Sequence, residues 1–202
     1  MSNITAGFDS PVHDAQQVFR KLMEAMSRPG KCVSLDHSTQ FGTASSAATQ
    51  VLLTLADNTT RLWLSRLFSA DEALIENVRF HCASPVVAKK SQAAFALVKG
   101  DEPESLEGFS FGDEIYPDRS TTLILDVGGF DGGVALSFTG PGIKAPESLF
   151  IKGLNSTLLA SLMVHRGAFP QGVDILLTAG NDVVAIPRST ELTLMSEEAA
   201  CM

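Results

Sequence analysis

The stretch Phe169-Pro-Gln-Gly-Val-Asp-Ile-Leu-Leu-Thr-Ala-Gly-Asn-Asp-Val-Val-Ala-Ile-Pro-Arg-Ser-Thr190 contains two apolar runs around a short polar turn. Gly180 and Asn181 tolerate positive φ angles, and the flanking runs are partly β-branched, so residues 175–178 and 183–186 are predicted to form a β-hairpin. Both runs are apolar almost throughout rather than alternating. This pattern predicts a hairpin at the centre of a sheet whose two faces are both covered.

Two charged residues mark the ends of this predicted hairpin. Asp174 precedes the first run, and Arg188 follows the second within Pro187-Arg-Ser-Thr190. A carboxylate and a guanidinium at one end of a buried hairpin can close the fold as an ion pair, or they can present a ligand site. The residues alone leave both interpretations open.

Helical and strand patterns alternate along the first half of the chain. Ser10-Pro11 predicts a helix with Ser10 as its N-cap, a buried stripe that includes Phe19, and an end at Pro29-Gly30. Further helices are predicted over residues 44–56, from a capping box Ser69-x-x-Glu72 to Arg79, and after Asn155. Strands are predicted over residues 32–35, 61–65, 93–98, 121–127 and 134–139.

These elements predict an α/β fold of a single domain over residues 1–202, with a mixed parallel and antiparallel sheet flanked by helices. Antiparallel hairpins are expected to dominate the second half. Residues 99–118 are polar and acidic, so this loop is predicted to be exposed and mobile.

Composition and charge restrict the class of protein. Hydrophobic residues make up 45% of the chain and charged residues 19%, as in ordinary globular proteins. The net charge of −8 argues against nucleic-acid binding, because a phosphate-backbone binder needs a clustered cationic surface. No apolar run approaches the roughly 18–20 residues that span a bilayer, and no secretory signal is recognisable. Free thiols in the cytoplasm are predicted from three cysteines without C-x-x-C spacing: Cys32, Cys82 and Cys201.

A literal G-x-S-x-G motif, Gly108-Phe-Ser-Phe-Gly112, raises the alternative of a freestanding hydrolase with Ser110 as its nucleophile. A nucleophile elbow requires a buried strand before the serine and a helix after it. Here an acidic, proline-containing loop precedes the serine, and Pro117 soon follows. Asp126 and His165 follow in the chain order of a serine hydrolase triad, but an aspartate and a histidine later in the chain would often do so by chance. Ser110 is therefore predicted to be an ordinary loop residue.

Two further patterns favour structure over chemistry. Gly140-Pro-Gly-Ile-Lys-Ala145 matches G-x-G-x-x-A after a predicted strand, but residues 148–171 contain no acid that could bind a ribose. A tight turn is therefore predicted there. No metal site is predicted, because four histidines show no ligand spacing: His13, His37, His81 and His165.

Charged residues at the edges of apolar elements form the candidate ligand-binding set: Arg28, Asp57, Asp118, Arg119, Asp174 and Arg188. Each alone fits a surface or ion-pairing role. If they converge, the arginines suit a phosphate or phosphonate, because the planar guanidinium presents two parallel donors.

Several phrases, in order over nearly the whole chain, together resemble one protein family. They are Phe19-Arg-Lys-Leu-Met-Glu-Ala-Met-Ser-Arg-Pro-Gly30, Leu52-Leu-Thr-Leu-Ala-Asp57, Arg79-Phe-His81, Thr122-Leu-Ile-Leu125, Leu136-Ser-Phe-Thr-Gly-Pro-Gly-Ile143, Phe169-Pro-Gln-Gly-Val-Asp174 and Ala185-Ile-Pro-Arg-Ser-Thr190. As a set they resemble the H subunit of the carbon–phosphorus lyase system of bacterial phosphonate catabolism.

The resemblance implies a fold related to the large domain of pyridoxal-phosphate-dependent transferases, without pyridoxal phosphate. In keeping with that absence, no lysine is expected at the end of a strand beside an acidic partner for the pyridine ring, since Lys89, Lys90 and Lys152 lie in polar contexts. The resemblance also implies a homodimer that joins the G, I and J subunits in a core complex.

With the G, I and L subunits, the H subunit is implied in displacing adenine from ATP by an alkylphosphonate, which forms a ribose 1-phosphonate 5-triphosphate. ATP and Mg would bind at the level of the complex. The resemblance implies that displacement at the ribose carbon belongs to the I subunit, so no catalytic residue carries over, and the isolated chain is expected to be inactive. A structural or ligand-binding subunit is the favoured function, and the hydrolase that uses Ser110 is the alternative.

Overall fold

The computed structural model describes residues 4–164 and 169–195. The helices are α1 (Pro11–Ser27), α2 (Ser46–Leu55), α3 (Arg66–Ser69), α4 (Glu72–His81) and α5 (Ser156–Val164). The strands are β1 (Cys32–Ser34), β2 (Leu62–Leu64), β3 (Phe95–Lys99), β4 (Thr122–Asp126), β5 (Gly129–Thr139), β6 (Glu147–Lys152), β7 (Asp174–Ala179), β8 (Asp182–Ile186) and β9 (Glu191–Leu194). Within the described ranges, no helix has both the length and the apolarity needed to cross a bilayer.

The main sheet has six strands in the order β1-β8-β7-β4-β3-β2. Strands β2, β3, β4 and β7 run parallel, whereas β8 runs antiparallel to its neighbours β7 and β1. The predicted hairpin is confirmed, because Ile175 pairs with Ile186 and Ala179 pairs with Asp182 around a turn in which Gly180 has a φ of 55°. The predicted mixed sheet is therefore present, with the hairpin inside it.

Successive side chains of the central strands point to opposite faces of the sheet, and both faces are buried. In β7, Leu176 packs in a core cluster with Val18 of α1 and Leu52 of α2. Leu177, next along the strand, packs in a second cluster with Phe138 of β5. Helices α1, α2 and α4 cover the first face, whereas β5, β6 and α5 cover the second. The hairpin is continuously apolar because it has no face toward water.

A separate antiparallel sheet, in the order β6-β5-β9, contributes to the second layer. The predicted strand 134–139 is the second half of β5, which begins earlier and changes register between Gly129 and Val134. Strands β6 and β9 were missed by the sequence analysis. Only Val127 and Gly128 separate β4 from β5, which belong to different sheets and do not pair, and the hairpins of this half are β5–β6 and β7–β8.

Three local helix predictions need correction. Ser69 ends α3 and does not open a capping box, since Asp71 caps α4 and accepts a hydrogen bond from the Leu74 N–H at 3.0 Å. Ser10 stands at the start of α1 as predicted, but its hydroxyl makes no capping bond, and its own N–H donates to Asp14 at 2.8 Å. Phe19, predicted to be buried, is 45% exposed.

The acidic loop between β3 and β4 is anchored to the core, so the prediction that it is exposed is wrong for its central part. Leu106 and Phe109 are buried, and Glu102 is only 8% exposed. Lys90 Nζ donates to Glu104 at 2.8 Å and lies 4.9 Å from the centroid of the Phe109 ring. Two apolar side chains thus hold a segment whose composition is otherwise that of a surface loop.

Candidate functional site

Asp174 and Arg188 meet at the open end of the β7–β8 hairpin. Arg188 Nη2 donates to Asp174 Oδ2 at 2.5 Å, Nε donates to the same oxygen at 3.1 Å, and the Arg188 backbone N–H donates to Oδ1 at 2.7 Å. Arg188 Nη1 donates to the carbonyl of Pro117. Each of the two charged side chains is 17% exposed. The pair therefore closes the hairpin and links the β3–β4 loop to it. Of the two predicted roles, an ion pair that closes the fold or a ligand site, this geometry is the ion pair.

Asp118 and Arg119 lie beside this pair, in the short 3-10 turn Pro117–Arg119, and both are exposed. The Arg119 guanidinium lies 3.9 Å from the centroid of the Tyr116 ring, a cation–π contact at the protein surface. The structure thus brings four of the six predicted site residues close to one another: Asp118, Arg119, Asp174 and Arg188. Of these four, Asp174 and Arg188 already bind one another.

Asp57 has a local role in the turn between α2 and β2. Its Oδ1 accepts hydrogen bonds from the Thr59 hydroxyl at 2.7 Å and the Thr59 N–H at 2.8 Å. These bonds stabilise the ionised form and hold the pKa of the carboxyl below its usual value. This geometry is that of an Asx turn, which orders the backbone locally.

Arg28 lies just after α1, where Nη1 is 3.6 Å from the carboxylate of Glu24 one helical turn earlier. It also lines a surface cavity together with Lys31 and Lys144. Its cavity neighbours include none of the other five predicted residues. The six residues therefore do not form a single site.

All six predicted residues lie toward the amino-terminal edge of the main sheet. Four of them precede a strand that runs in the parallel direction, Asp174 is the first residue of such a strand, and Arg188 follows the antiparallel strand β8. In open α/β sheets, ligands bind outside the carboxyl ends of the parallel strands, which is the opposite edge. Their position favours structural roles for Asp57, Asp174 and Arg188.

The carboxyl edge carries a polar cluster that the sequence analysis missed. Lys99, Asp126 and Thr178 are directly paired residues on β3, β4 and β7. The Asp126 carboxylate is 1% exposed and accepts hydrogen bonds from Lys99 Nζ at 3.0 Å, Thr178 Oγ1 at 3.1 Å and the Ser45 N–H at 3.3 Å. Because Ser45 is the N-cap of α2, the carboxylate also lies at the positive end of that helix.

A second buried carboxylate extends this cluster. Glu102 accepts hydrogen bonds from the Ser65 hydroxyl and, at 2.9 Å, from the Leu67 N–H. The Ser65 oxygen also accepts the Lys99 N–H at 3.2 Å. These bonds connect the ends of β2, β3 and β4 through side chains whose polar atoms have protein partners.

The sequence analysis named no lysine at a strand end beside an acid, whereas in the structure Lys99 ends β3 and Asp126 ends the neighbouring strand β4. The available signal was the polar residue that ends each apolar run, in Ala-Leu-Val-Lys99 and Leu-Ile-Leu-Asp126. The ammonium and the carboxylate bind one another, and the carboxylate holds two further donors. The cluster is satisfied internally, and its evident role is to fasten the strand ends.

Ser110 lacks the surroundings of a nucleophile. It lies in the β3–β4 loop, and its hydroxyl donates to the carbonyl of Arg119 at 2.9 Å. The residue after it, Phe111, forms an isolated bridge with Ser120, so the serine opens no helix. Asp126 is bound in the carboxyl-edge cluster, and His165 lies outside the described residues. Ser110 is a loop residue, as the sequence predicted, and the geometry of the described residues gives no support to the hydrolase.

The remaining motifs also have structural roles. Residues 140–145 form the turn between β5 and β6, which confirms the tight turn predicted in place of a dinucleotide site. Within residues 4–164 and 169–195, no group of three or more histidines, cysteines and acids is placed to hold a metal ion. Burial raises the pKa of the Cys82 thiol to about 11, whereas Cys32 is exposed.

Comparison with known proteins identifies the family. Residues 6–193 match the sequence model of a family described as bacterial phosphonate metabolism protein (PhnH). The chain is 39% identical over 197 residues to "Alpha-D-ribose 1-methylphosphonate 5-triphosphate synthase subunit PhnH" of Rhizobium meliloti (strain 1021), covering 95% of this chain and 96% of the relative. It is 32% identical over 181 residues to "Putative C-P lyase subunit protein HtxG" of Stutzerimonas stutzeri, covering 89% and 86% respectively. The chain therefore belongs to the PhnH family of bacterial phosphonate metabolism proteins.

Proposed function

We propose that the chain is a non-catalytic subunit of a carbon–phosphorus lyase assembly that converts ATP and an alkylphosphonate into a ribose 1-phosphonate 5-triphosphate. The observation that carries this proposal is the 39% identity to a relative named as a synthase subunit, over nearly the full length of both chains. Such coverage favours a shared role for the whole chain.

The internal pairing of the polar groups supports a binding or structural role. Asp174 binds Arg188, Asp126 binds Lys99, and Glu102 binds Ser65. A catalytic acid, base or nucleophile must reach the substrate, but these groups are occupied by the fold itself. We therefore assign the displacement of adenine to a partner subunit, with ATP and Mg bound at the level of the complex.

We further propose that the chain forms a homodimer that joins the G, I and J subunits, works in the cytoplasm, and has a fold related to the large domain of pyridoxal-phosphate-dependent transferases. The sequence resemblance supports this assembly and this fold. We also propose that the chain binds no pyridoxal phosphate. The ion pair between Lys99 and Asp126 supports this proposal, because a lysine that forms a Schiff base needs a free amine.

Co-purification tests the proposed assembly. A tagged full-length chain is co-expressed with the G, I and J subunits and analysed by affinity capture and size-exclusion chromatography. We expect all four chains to elute together, at a mass that requires two copies of the tagged chain. Elution of the tagged chain alone, in the presence of folded partners, would contradict the proposal.

A further inference from the structure

A cavity of about 530 Å³ lies where the end of α1 meets the turn between β5 and β6. Residues 28–31 form one wall, and residues 142–144 with Glu147 form the other. The two walls are far apart in the chain, yet each contains part of a phrase that carries the family resemblance, 19–30 and 136–143. The volume falls within the roughly 300–1,000 Å³ of small-molecule pockets.

Two glycines hold the walls together closely. Gly142 has a φ of 85°, and a Cβ there would lie 2.7 Å from the carbonyl oxygen of Ser27. Gly30 has a φ of 86°, and its Cβ would lie 3.1 Å from the Phe138 ring. The Gly30 N–H also donates to the carbonyl of Ala185 in β8 at 3.4 Å. The backbone frame of the cavity is therefore fixed by packing before any ligand arrives.

The lining of this cavity is cationic in an otherwise acidic protein. Arg28, Lys31 and Lys144 line it together with one carboxylate, that of Glu147, whereas the whole chain has a net charge of −8. A concave surface of one sign concentrates ions of the opposite sign. The excess of cations in this lining therefore favours an anionic ligand.

Glu24, next to the cavity, shows that two of these cations can hold one anionic oxygen. Lys31 Nζ lies 2.5 Å from Glu24 Oε1, and Arg28 Nη1 lies 3.6 Å from the same oxygen. The hydrogen bond from Lys31 and its positive charge lower the pKa of the Glu24 carboxyl. The Arg28 contact is long, so most of its donors remain available to a second anion.

We propose that this cavity binds an anion that carries a tetrahedral phosphate or phosphonate group. The Arg28 fork supplies two parallel donors, Lys31 shifts from Glu24 toward the ligand, and Lys144 approaches from the opposite wall. The inference deepens the proposed function and rests on it for the physiological source of the anion. The charge and shape of the cavity carry the binding chemistry by themselves.

Isothermal titration of the full-length chain tests the inference with three probes at low ionic strength: inorganic phosphate, methylphosphonate and tripolyphosphate. We expect saturable binding of at least the most highly charged probe, tripolyphosphate, because several cations line the cavity. The comparison of methylphosphonate with phosphate shows which simple tetrahedral group is preferred. Absence of binding for all three probes would overturn the inference.

Matched variants locate the site. Arg28→Gln is expected to weaken binding about tenfold, the size of one lost charged hydrogen-bonding group. Arg20→Gln removes the same charge from the exposed surface of α1 outside the cavity lining, and it should change the affinity less than twofold. Equal losses in the two variants would mean that the anion responds only to overall charge, and the inference would fail.

Glu24→Gln gives a test with the opposite sign. Removing the competing carboxylate frees Arg28 and Lys31, so binding is expected to become several-fold tighter, and weaker binding would contradict the proposed arrangement. Melting curves establish that each variant is folded. Because the assay uses the isolated chain, loss of anion binding and loss of co-purification with partner subunits are separate outcomes.

Discussion

Replacement of Arg188 by methionine tests whether the end of the central hairpin is structural. The substitution keeps an unbranched side chain but removes every side-chain donor to Asp174 and to the Pro117 carbonyl. Asp174 would keep only the backbone N–H of residue 188, in a position where its side chain is 17% exposed. A carboxylate would thus remain mostly buried without its countercharge.

The expected cost follows from this geometry. Breaking a buried ion pair by removing one partner costs roughly 3–5 kcal/mol, and the remaining exposure of this pair places it at the lower end. We therefore expect a loss of about 3 kcal/mol in the free energy of unfolding. For a chain of this length, that loss corresponds to a decrease in Tm of roughly 6–12 °C.

Chemical denaturation measures this loss, with the fluorescence of Trp63, the only tryptophan of the sequence, as the signal. Arg119→Met is the matched control, since Arg119 is exposed and its guanidinium contacts only the surface ring of Tyr116 among the described contacts. Asp174→Asn completes a double-mutant cycle, in which the two single losses should not add. If Arg188→Met lost less than about 0.5 kcal/mol, as expected of a surface substitution, the structural assignment would be refuted.

Three further changes test the rest of the fold. Asp126→Asn leaves Lys99 without its carboxylate and should lower the free energy of unfolding by about 2–3 kcal/mol in the same denaturation assay. An unchanged free energy of unfolding would show that the carboxyl-edge cluster does not hold the strand ends together. Asp71→Ala removes the cap of α4 and should cost about 1 kcal/mol at neutral pH. Burial raises the pKa of the Asp71 carboxyl, but the hydrogen bonds from the N–H groups of Leu74 and Thr43 lower it more, so the folded pKa lies below its ordinary value. The stability difference between Asp71→Ala and wild type should therefore shrink as the pH falls below about 4. A difference that stays constant over this range would contradict the linkage. Cys82, whose pKa is raised to about 11 by burial, should resist alkylation near pH 8 while exposed Cys32 reacts, as peptide mass mapping would show; comparable labelling of both thiols in the folded protein would contradict the burial of Cys82.

Local patterns predicted the elements whose determinants are close in sequence. The hairpin at residues 174–186 combines a turn of Gly180 and Asn181 with two uniformly apolar runs, so its pairing follows from a few adjacent residues. The missed strands β6 and β9 are short edge strands of the second sheet, with exposed residues at their ends. Their pairing with β5 depends on partners 9 to 58 residues away, which a local pattern does not contain.

Competition between nearby residues explains the errors at single positions. Serine and aspartate are both residue types that can cap a helix. Asp71 caps α4 because Ser69 is already the last residue of α3. The cluster around Asp126 was missed because Lys99 is 27 residues away and becomes its neighbour only through parallel pairing. The predicted site residues do make polar contacts, but they do so in separate places. Asp57 orders a turn, Asp174 and Arg188 form an ion pair, and Arg28 lines a cavity.

The measurement that tests the central claim most directly is the release of adenine from ATP and methylphosphonate in a reconstituted mixture of the G, I and L subunits, with and without this chain. The account predicts that adenine is released only when the chain is present, and that the chain alone releases none. Release at the same rate without the chain, or adenine release by the chain alone, would contradict its assignment as a required, non-catalytic subunit.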